Sequence, residues 1–169
     1  MRAWILAALA LGVVSAACTH ERAARADCRG PADCRPPLAL TTLDGNALGD
    51  DALRGQALLV NFWATWCAPC AKEIPGLQAV YERHRAQGFT IIGMLAGDES
   101  TDVNVKLFAR ARGVSYPIVR SGPEIERRFK VGDALPTSFL YDRSGRLVKR
   151  FVGDIEEAEL EAEVRKLLE

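Results

Sequence analysis

The chain has 169 residues, enough for one domain with a sizeable core once a short leader is set aside. Hydrophobic residues make up 49% and charged residues 26%, the balance of a globular protein rather than a disordered or fibrous one. Lys plus Arg and Asp plus Glu both number 22, so no basic face argues for nucleic acid as a partner, no acidic tail is present, and bulk charge names no ligand.

Arg2 precedes the apolar run from Trp4 to Val14, and the small residues Ser15-Ala16-Ala17 follow. A basic residue, a short apolar core and small residues before a cut make residues 1–17 a secretory signal. The core falls short of the ~20 residues of a comfortable transmembrane helix, and an uncleaved N-terminal anchor is the alternative. Ser15-Ala16-Ala17-Cys18 resembles a bacterial lipobox, although the usual Leu three places before the cysteine is Ser15 here. In that reading Cys18 is acylated and tethers the chain to a membrane as a lipoprotein; the rival is ordinary cleavage near Ala16 or Ala17. Either way the domain is expected outside the cytoplasm, in a bacterial periplasm or on the outer face of the envelope.

Cysteine usage agrees. With Cys18 set aside, Cys28, Cys34, Cys67 and Cys70 are an even set, which in an oxidising compartment suggests two pairs. Residues 18–37 read as a tether: rich in Ala, Arg, Asp and Pro, without an apolar period, and ending in Pro36-Pro37. Cys28 and Cys34 bracket Arg29–Asp33 within it. The simplest reading is a local structural disulfide; a second redox couple and a metal site are the alternatives.

Residues 38–169 read as the folded domain. Leu38–Thr42, a turn at Asp44-Gly45 and Asn46–Leu48 predict a small hairpin. Ala57–Phe62 is apolar without alternation, the pattern of a central strand. It feeds a helix from about Cys67 to Gln87, with Ile74, Leu77, Val80 and Tyr81 as its buried stripe, Pro75 as a kink and Gly88 as its end. His84, on the same helix, is expected partly exposed and without an acidic or metal partner. Phe89–Met94 is a second buried strand. Gly97–Ser100 is a loop, after which Thr101 or Asp102 caps a helix expected to bury Val103, Leu107, Phe108 and Ala111. A short strand Tyr116–Val119, a helix Glu124–Lys130, a strand Ser138–Tyr141, a turn at Asp142–Gly145, a strand Leu147–Val152 and a last helix from about Ile155 to Leu168 complete the chain. Strands first separated by helices and then joined as a hairpin predict an α/β fold, a mixed central sheet with helices on both faces.

The chemistry concentrates at Phe62-Trp63-Ala64-Thr65-Trp66-Cys67-Ala68-Pro69-Cys70, where the central strand gives way to the helix. A thiol at a helix N-terminus faces unpaired N–H groups and the positive end of the dipole, which favour thiolate over thiol. The two-residue spacer lets the second sulfur close a small ring with the first. A structural zinc site would want a second Cys or His pair, and after Cys70 no cysteine and only His84 follow. A purely structural cross-link over so few residues removes little chain entropy. The pair reads as a dithiol/disulfide couple, with Cys67 as attacking nucleophile and Cys70 as resolving thiol. Pro69 lacks an amide N–H that could stabilise the Cys67 thiolate, which favours a reductant over an extreme oxidant.

This stretch, with Pro75 and with Leu135-Pro136-Thr137 before Ser138-Phe139-Leu140-Tyr141, resembles the thioredoxin superfamily. The likeness runs from about Pro37 to Glu169, and the N-terminal hairpin and central helix-strand insert are similar to those of its TlpA/ResA branch. The resemblance implies a thioredoxin fold, a cis Leu135–Pro136 bond beside the cysteines, and a free Leu135 backbone to pair with a substrate strand. Cys-x-x-Cys-x-x-Glu is similar to the ResA arrangement, which implies that Glu73 is a partly buried carboxylate that moves protons; its rival reading is a surface acid near a helix start. Classical thioredoxins carry an acid where Asn61 stands, which leaves Glu73 as the nearest carboxylate. Trp66, Ala68 and Pro69 are the expected landing surface, with Trp63 in the core. The resemblance further implies protein disulfides as substrates, apocytochrome c among them, a membrane thiol-disulfide carrier as electron source, and no cofactor or metal. Alternatives on the same fold are an oxidant or isomerase, a peroxidase relative, and a copper metallochaperone like the Sco proteins, although those carry a longer cysteine spacer and a distant His.

Overall fold

The computed structural model describes residues 34–169, so the expected leader, Cys18, Cys28 and the tether before Cys34 lie outside the described residues. The elements run β1 (Ala39–Thr41), β2 (Ala47–Gly49), β3 (Ala57–Trp63), α1 (Ala68–His84), β4 (Phe89–Leu95), α2 (Asp102–Arg110), β5 (Ile118–Arg120), α3 (Pro123–Phe129), β6 (Thr137–Tyr141), β7 (Leu147–Val152) and α4 (Glu157–Leu168). β1 and β2 form the expected hairpin, turning through Gly45 at φ +83°. The other strands form one sheet in the order β5-β4-β3-β6-β7. β3 is parallel to β4 and antiparallel to β6, which makes the sheet mixed.

β3 is buried at every position, as its unbroken apolar run requires. Successive side chains serve opposite faces. Leu58, Val60 and Phe62 pack with Leu40 of the hairpin and Phe129 of α3. Ala57 and Leu59 pack with Leu77 and Val80 of α1 and Leu160 and Val164 of α4. Helices therefore cover both faces, and the thioredoxin-type α/β architecture is the observed one. α1 runs through Pro75 and passes into a short 3-10 turn, Arg85–Gln87, ended by Gly88 at φ +89°, a backbone that favours glycine.

Three expectations need correction. α2 does not bury Val103 and Leu107, which are 66% and 58% exposed. It docks through Val105 and Ala109, one turn apart, while Phe108 stacks on Trp63 with ring centroids 5.6 Å apart. The docking stripe is therefore rotated from the bulkiest residues. His84 is buried rather than partly exposed, and its Nε2 lies 2.8 Å from Glu161 on α4. The chain is also docked before Leu38. Cys34 bridges to Arg146, the Arg35 N–H donates to the Gly145 carbonyl at 2.8 Å, and the Arg35 guanidinium donates to Asp50 at 2.8 Å.

Candidate active site

β3 and β4 are parallel neighbours, so their carboxyl ends open on the same side of the sheet, where loops of such folds gather ligands. From the end of β3 the chain turns through Ala64-Thr65-Trp66 into α1. The loop after β4 holds that turn. Asp98 accepts the Thr65 N–H and the Thr65 hydroxyl through Oδ2, each at 2.6 Å, and the Ser100 N–H through Oδ1 at 2.8 Å. Burial works against the Asp98 charge, but these hydrogen bonds outweigh it and hold the carboxyl down at about 2. An ionised clamp thus fixes the residues just before the cysteines. No residue-level signal in the sequence marked Asp98; only the parallel neighbouring of the two strand ends places it here.

Cys67 is the N-cap of α1, with extended backbone, and its Sγ accepts the Cys70 N–H at 3.2 Å. The first turn of α1 carries no acidic side chain to offset the positive end of the helix dipole. Cys67 and Cys70 are joined as a disulfide with Cα atoms 5.3 Å apart. Cys67 keeps 5% of its surface exposed and Cys70 none. Trp66, Ala68 and Pro69 are exposed around it. Trp66 is 66% exposed and is pinned by its Nε1–H donating to the Gly97 carbonyl at 3.1 Å.

Leu135 packs against the cluster formed by Trp63, Ala64, both cysteines and Ile74. The Leu135–Pro136 bond is cis, and Pro136 is buried. Thr137 pairs with Phe62 across the sheet, which sets Pro136 level with the end of β3. The Thr137 hydroxyl closes this loop by donating to the Ala134 carbonyl at 2.7 Å. The fold thus brings Leu135 to the cysteines, with the cis Leu135–Pro136 bond next to it in the chain.

Glu73, one turn beyond Cys70, is buried between α1 and the sheet. Its Oε1 accepts the Asn61 Nδ2–H at 2.7 Å and its Oε2 accepts the Ile155 N–H at 2.8 Å. Asn61 Nδ2 also donates to the Ser138 hydroxyl at 2.8 Å. Burial pushes the Glu73 carboxyl up, Asp154 adds to this, and the two donors only partly offset it, leaving it at about 7. A carboxyl poised there can take or give a proton at neutral pH. Among the described residues no three His, Cys, Asp or Glu side chains converge to hold a metal ion.

The sequence profile of the Redoxin family matches residues 26–168. The chain belongs to the Redoxin family. Within it the chain is ResA-like. It is 35% identical over 133 residues to the thiol-disulfide oxidoreductase ResA of Bacillus thuringiensis (strain Al Hakam), covering 78% of this chain and 75% of that one. To ResA of Bacillus subtilis (strain 168) it is 31% identical over 128 residues, 73% of this chain and 68% of that one. Among solved structures, a thiol:disulfide interchange protein of the thioredoxin family from Chlorobium tepidum TLS superposes with a TM-score of 0.74 at 33% identity, covering 81% and 97% of the two chains. StoA from Bacillus subtilis gives a TM-score of 0.63 at 26% identity, covering 75% and 95%. This Redoxin-family chain is a thiol-disulfide oxidoreductase, with Cys67–Cys70 as its disulfide pair.

Proposed function

We propose that the chain is an extracytoplasmic protein-disulfide reductase. The observation that carries this reading is the Cys67–Cys70 pair at the dipole-positive start of α1, with a buried carboxyl, Glu73, one turn below it. In the reduced form the Cys67 thiolate attacks one sulfur of a substrate disulfide, forming a mixed disulfide and releasing the other substrate sulfur as a thiolate. Cys70 then loses its proton and attacks the Cys67 sulfur. The Cys67–Cys70 disulfide forms, the second substrate thiolate leaves, and two electrons have passed to the substrate. Glu73 takes up the Cys70 proton, and the Leu135 backbone aligns the substrate strand over exposed Trp66, Ala68 and Pro69. A dithiol carrier in the membrane returns the electrons. Apocytochrome c awaiting haem attachment is the candidate substrate class.

The leader and Cys18 support the extracytoplasmic, membrane-tethered placement. No helix among the described residues is long and apolar enough to cross a membrane. Cys28 and Cys34 are read as a structural pair. In support, Cys34 is disulfide-bonded and sits at Arg146, beside the end of the sheet remote from Cys67.

The test is the reduction potential of the Cys67/Cys70 couple, equilibrated against dithiothreitol or glutathione buffers, with a Cys28→Ser/Cys34→Ser variant alongside. A value near or below that of thioredoxin, about −270 mV, is expected. A value near that of DsbA, about −120 mV, makes the protein an oxidant or isomerase. A changed potential in the variant would bring the tether cysteines into the mechanism.

A further inference from the structure

Asn61 stands in the middle of the central strand, fully buried in an otherwise apolar run. Its side chain is used asymmetrically. Both Nδ2 hydrogens are engaged, one on Glu73 Oε1 at 2.7 Å and one on Ser138 Oγ at 2.8 Å, while Oδ1 is buried with no partner. An orphaned buried acceptor is normally avoided. This one has a use, because an amide is a donor on one side and an acceptor on the other.

With Glu73 ionised, its oxygens need donors, and Asn61 and the Ile155 N–H supply them. With Glu73 protonated on Oε1, a donor faces a donor, and the present orientation fails. A half-turn of the Asn61 amide exchanges Nδ2 and Oδ1. Oδ1 then lies within reach of the Glu73 O–H and of the Ser138 hydroxyl, which rotates to donate, and its two lone pairs take both. Nδ2 turns to the side where Oδ1 now has no partner. The inverted form is therefore the costlier one, and Asn61 favours the ionised carboxylate. Oε2 keeps the Ile155 N–H in either state.

We infer that Asn61 is a positioning residue for the redox reaction, an invertible amide that turns over as Glu73 gains or loses its proton and keeps the buried carboxyl hydrogen-bonded in both states. The consequence is that Glu73 changes charge inside the core without losing its place beneath Cys70. An aspartate at this position could not do this, since two carboxyls 2.7 Å apart must share one proton. The other groups facing Glu73 do not substitute. Tyr116 is buried with its hydroxyl held well above its ordinary range by burial and by the Glu73 charge. Asp154 is occupied by Lys72 at 2.6 Å. Cys70, on the same helix, is the proton donor itself, and Ser138 reaches Asn61.

The inference deepens the reading of Glu73 as the proton-exchanging carboxyl, and its test needs no turnover, so it fails separately from the reductase assignment. The oxidised protein is labelled with 13C at glutamate side chains and 15N at asparagine, and titrated by NMR. Loss of a signal in Glu73→Gln assigns Glu73. In the wild-type chain the Asn61 side-chain amide resonances are expected to shift with the same midpoint as Glu73. In Asn61→Leu the Glu73 midpoint is expected to rise by about one pH unit or more, a tenfold gain in proton affinity. Asn61→Asp is expected to give two coupled steps in place of one, and Glu73→Gln combined with Asn61→Asp, which exchanges carboxyl and amide, to restore a single step. An Asn61 amide that is blind to the Glu73 titration, or an unmoved Glu73 midpoint in folded Asn61→Leu or Asn61→Asp, overturns the inference. The first readout uses the unaltered protein, so a variant that fails to fold does not remove the test.

Discussion

The Ile155 backbone N–H donates to Glu73 Oε2 at 2.8 Å, across 82 residues of sequence. The acid below the disulfide therefore also ties the cysteine-bearing helix to the segment that enters α4. Chemistry and scaffold meet in one carboxyl, and its protonation is felt by both.

That linkage has a sign. Glu73 binds its proton more tightly in the folded chain, at about 7, than in an unfolded one, about 4.3. Its contribution to stability is fully present below the unfolded value and is lost as pH rises through about 7. Glu73→Gln removes it. The loss of stability of the oxidised protein between pH 5 and pH 8, read from urea unfolding, is expected to shrink by roughly 2–3 kcal/mol in the variant. An unchanged pH dependence would show that Glu73 does not titrate in this range.

Trp66 is exposed and makes a hydrogen bond only at the loop surface, so its packing matters little to the fold. Trp66→Ala is expected to leave unfolding free energy within about 0.5 kcal/mol of the original. Its kcat/KM for a protein disulfide should fall roughly tenfold, about 1.4 kcal/mol, while reduction of the Cys67–Cys70 bond by dithiothreitol keeps its rate. Equal losses for both reactions would place Trp66 in the chemistry rather than in substrate docking.

Gly93 sits in β4 beside the Trp63 ring. A Cβ there would lie 2.9 Å from Trp63 Nε1 and 3.3 Å from a Tyr116 ring carbon, both in buried side chains. Neither neighbour is the loose end of a flexible chain. Gly93→Ala is expected to cost about 1–3 kcal/mol in urea unfolding, with the Trp63 fluorescence altered in the folded state. A neutral substitution would mean that the ring has room to move.

His84 and Glu161 clasp α1 to α4 at the end remote from the cysteines. Arg83 and Arg165 also reach Glu161, at 2.9 and 2.8 Å. Burial disfavours the Glu161 charge, but His84 and the two arginines hold its carboxyl down at about 2. His84→Ala removes a buried hydrogen-bonded group and is expected to cost about 1–3 kcal/mol, seen as a lower urea midpoint. The reduction potential of the cysteine pair should not move. A shifted potential would mean that the clasp positions the N-terminus of α1.

Much of this was written locally. The apolar run before Cys67, the two-residue spacer, the turn residues and the periodicity of α1 and α4 depend on backbone preferences and on which positions repeat every 2 or 3.6 residues. These set the element order, the strand-to-helix junction and the placement of both thiols at a helix start, and the observed elements follow them. What the tertiary structure decided is whatever required distant segments to meet. Only the approach of Ile155, and of Asn61 on a neighbouring layer, makes Glu73 a buried, poised carboxyl rather than a surface acid. Only the arrival of α4, 77 residues on, gives His84 an acidic partner. The face that α2 buries carries Val105, which packs in the cluster with Trp63 and both cysteines, and Ala109, while the larger Val103 and Leu107 stay exposed. Periodicity states that a face is apolar; which face is covered, and which charge is left without water, is settled by the packing of surfaces far apart in the chain.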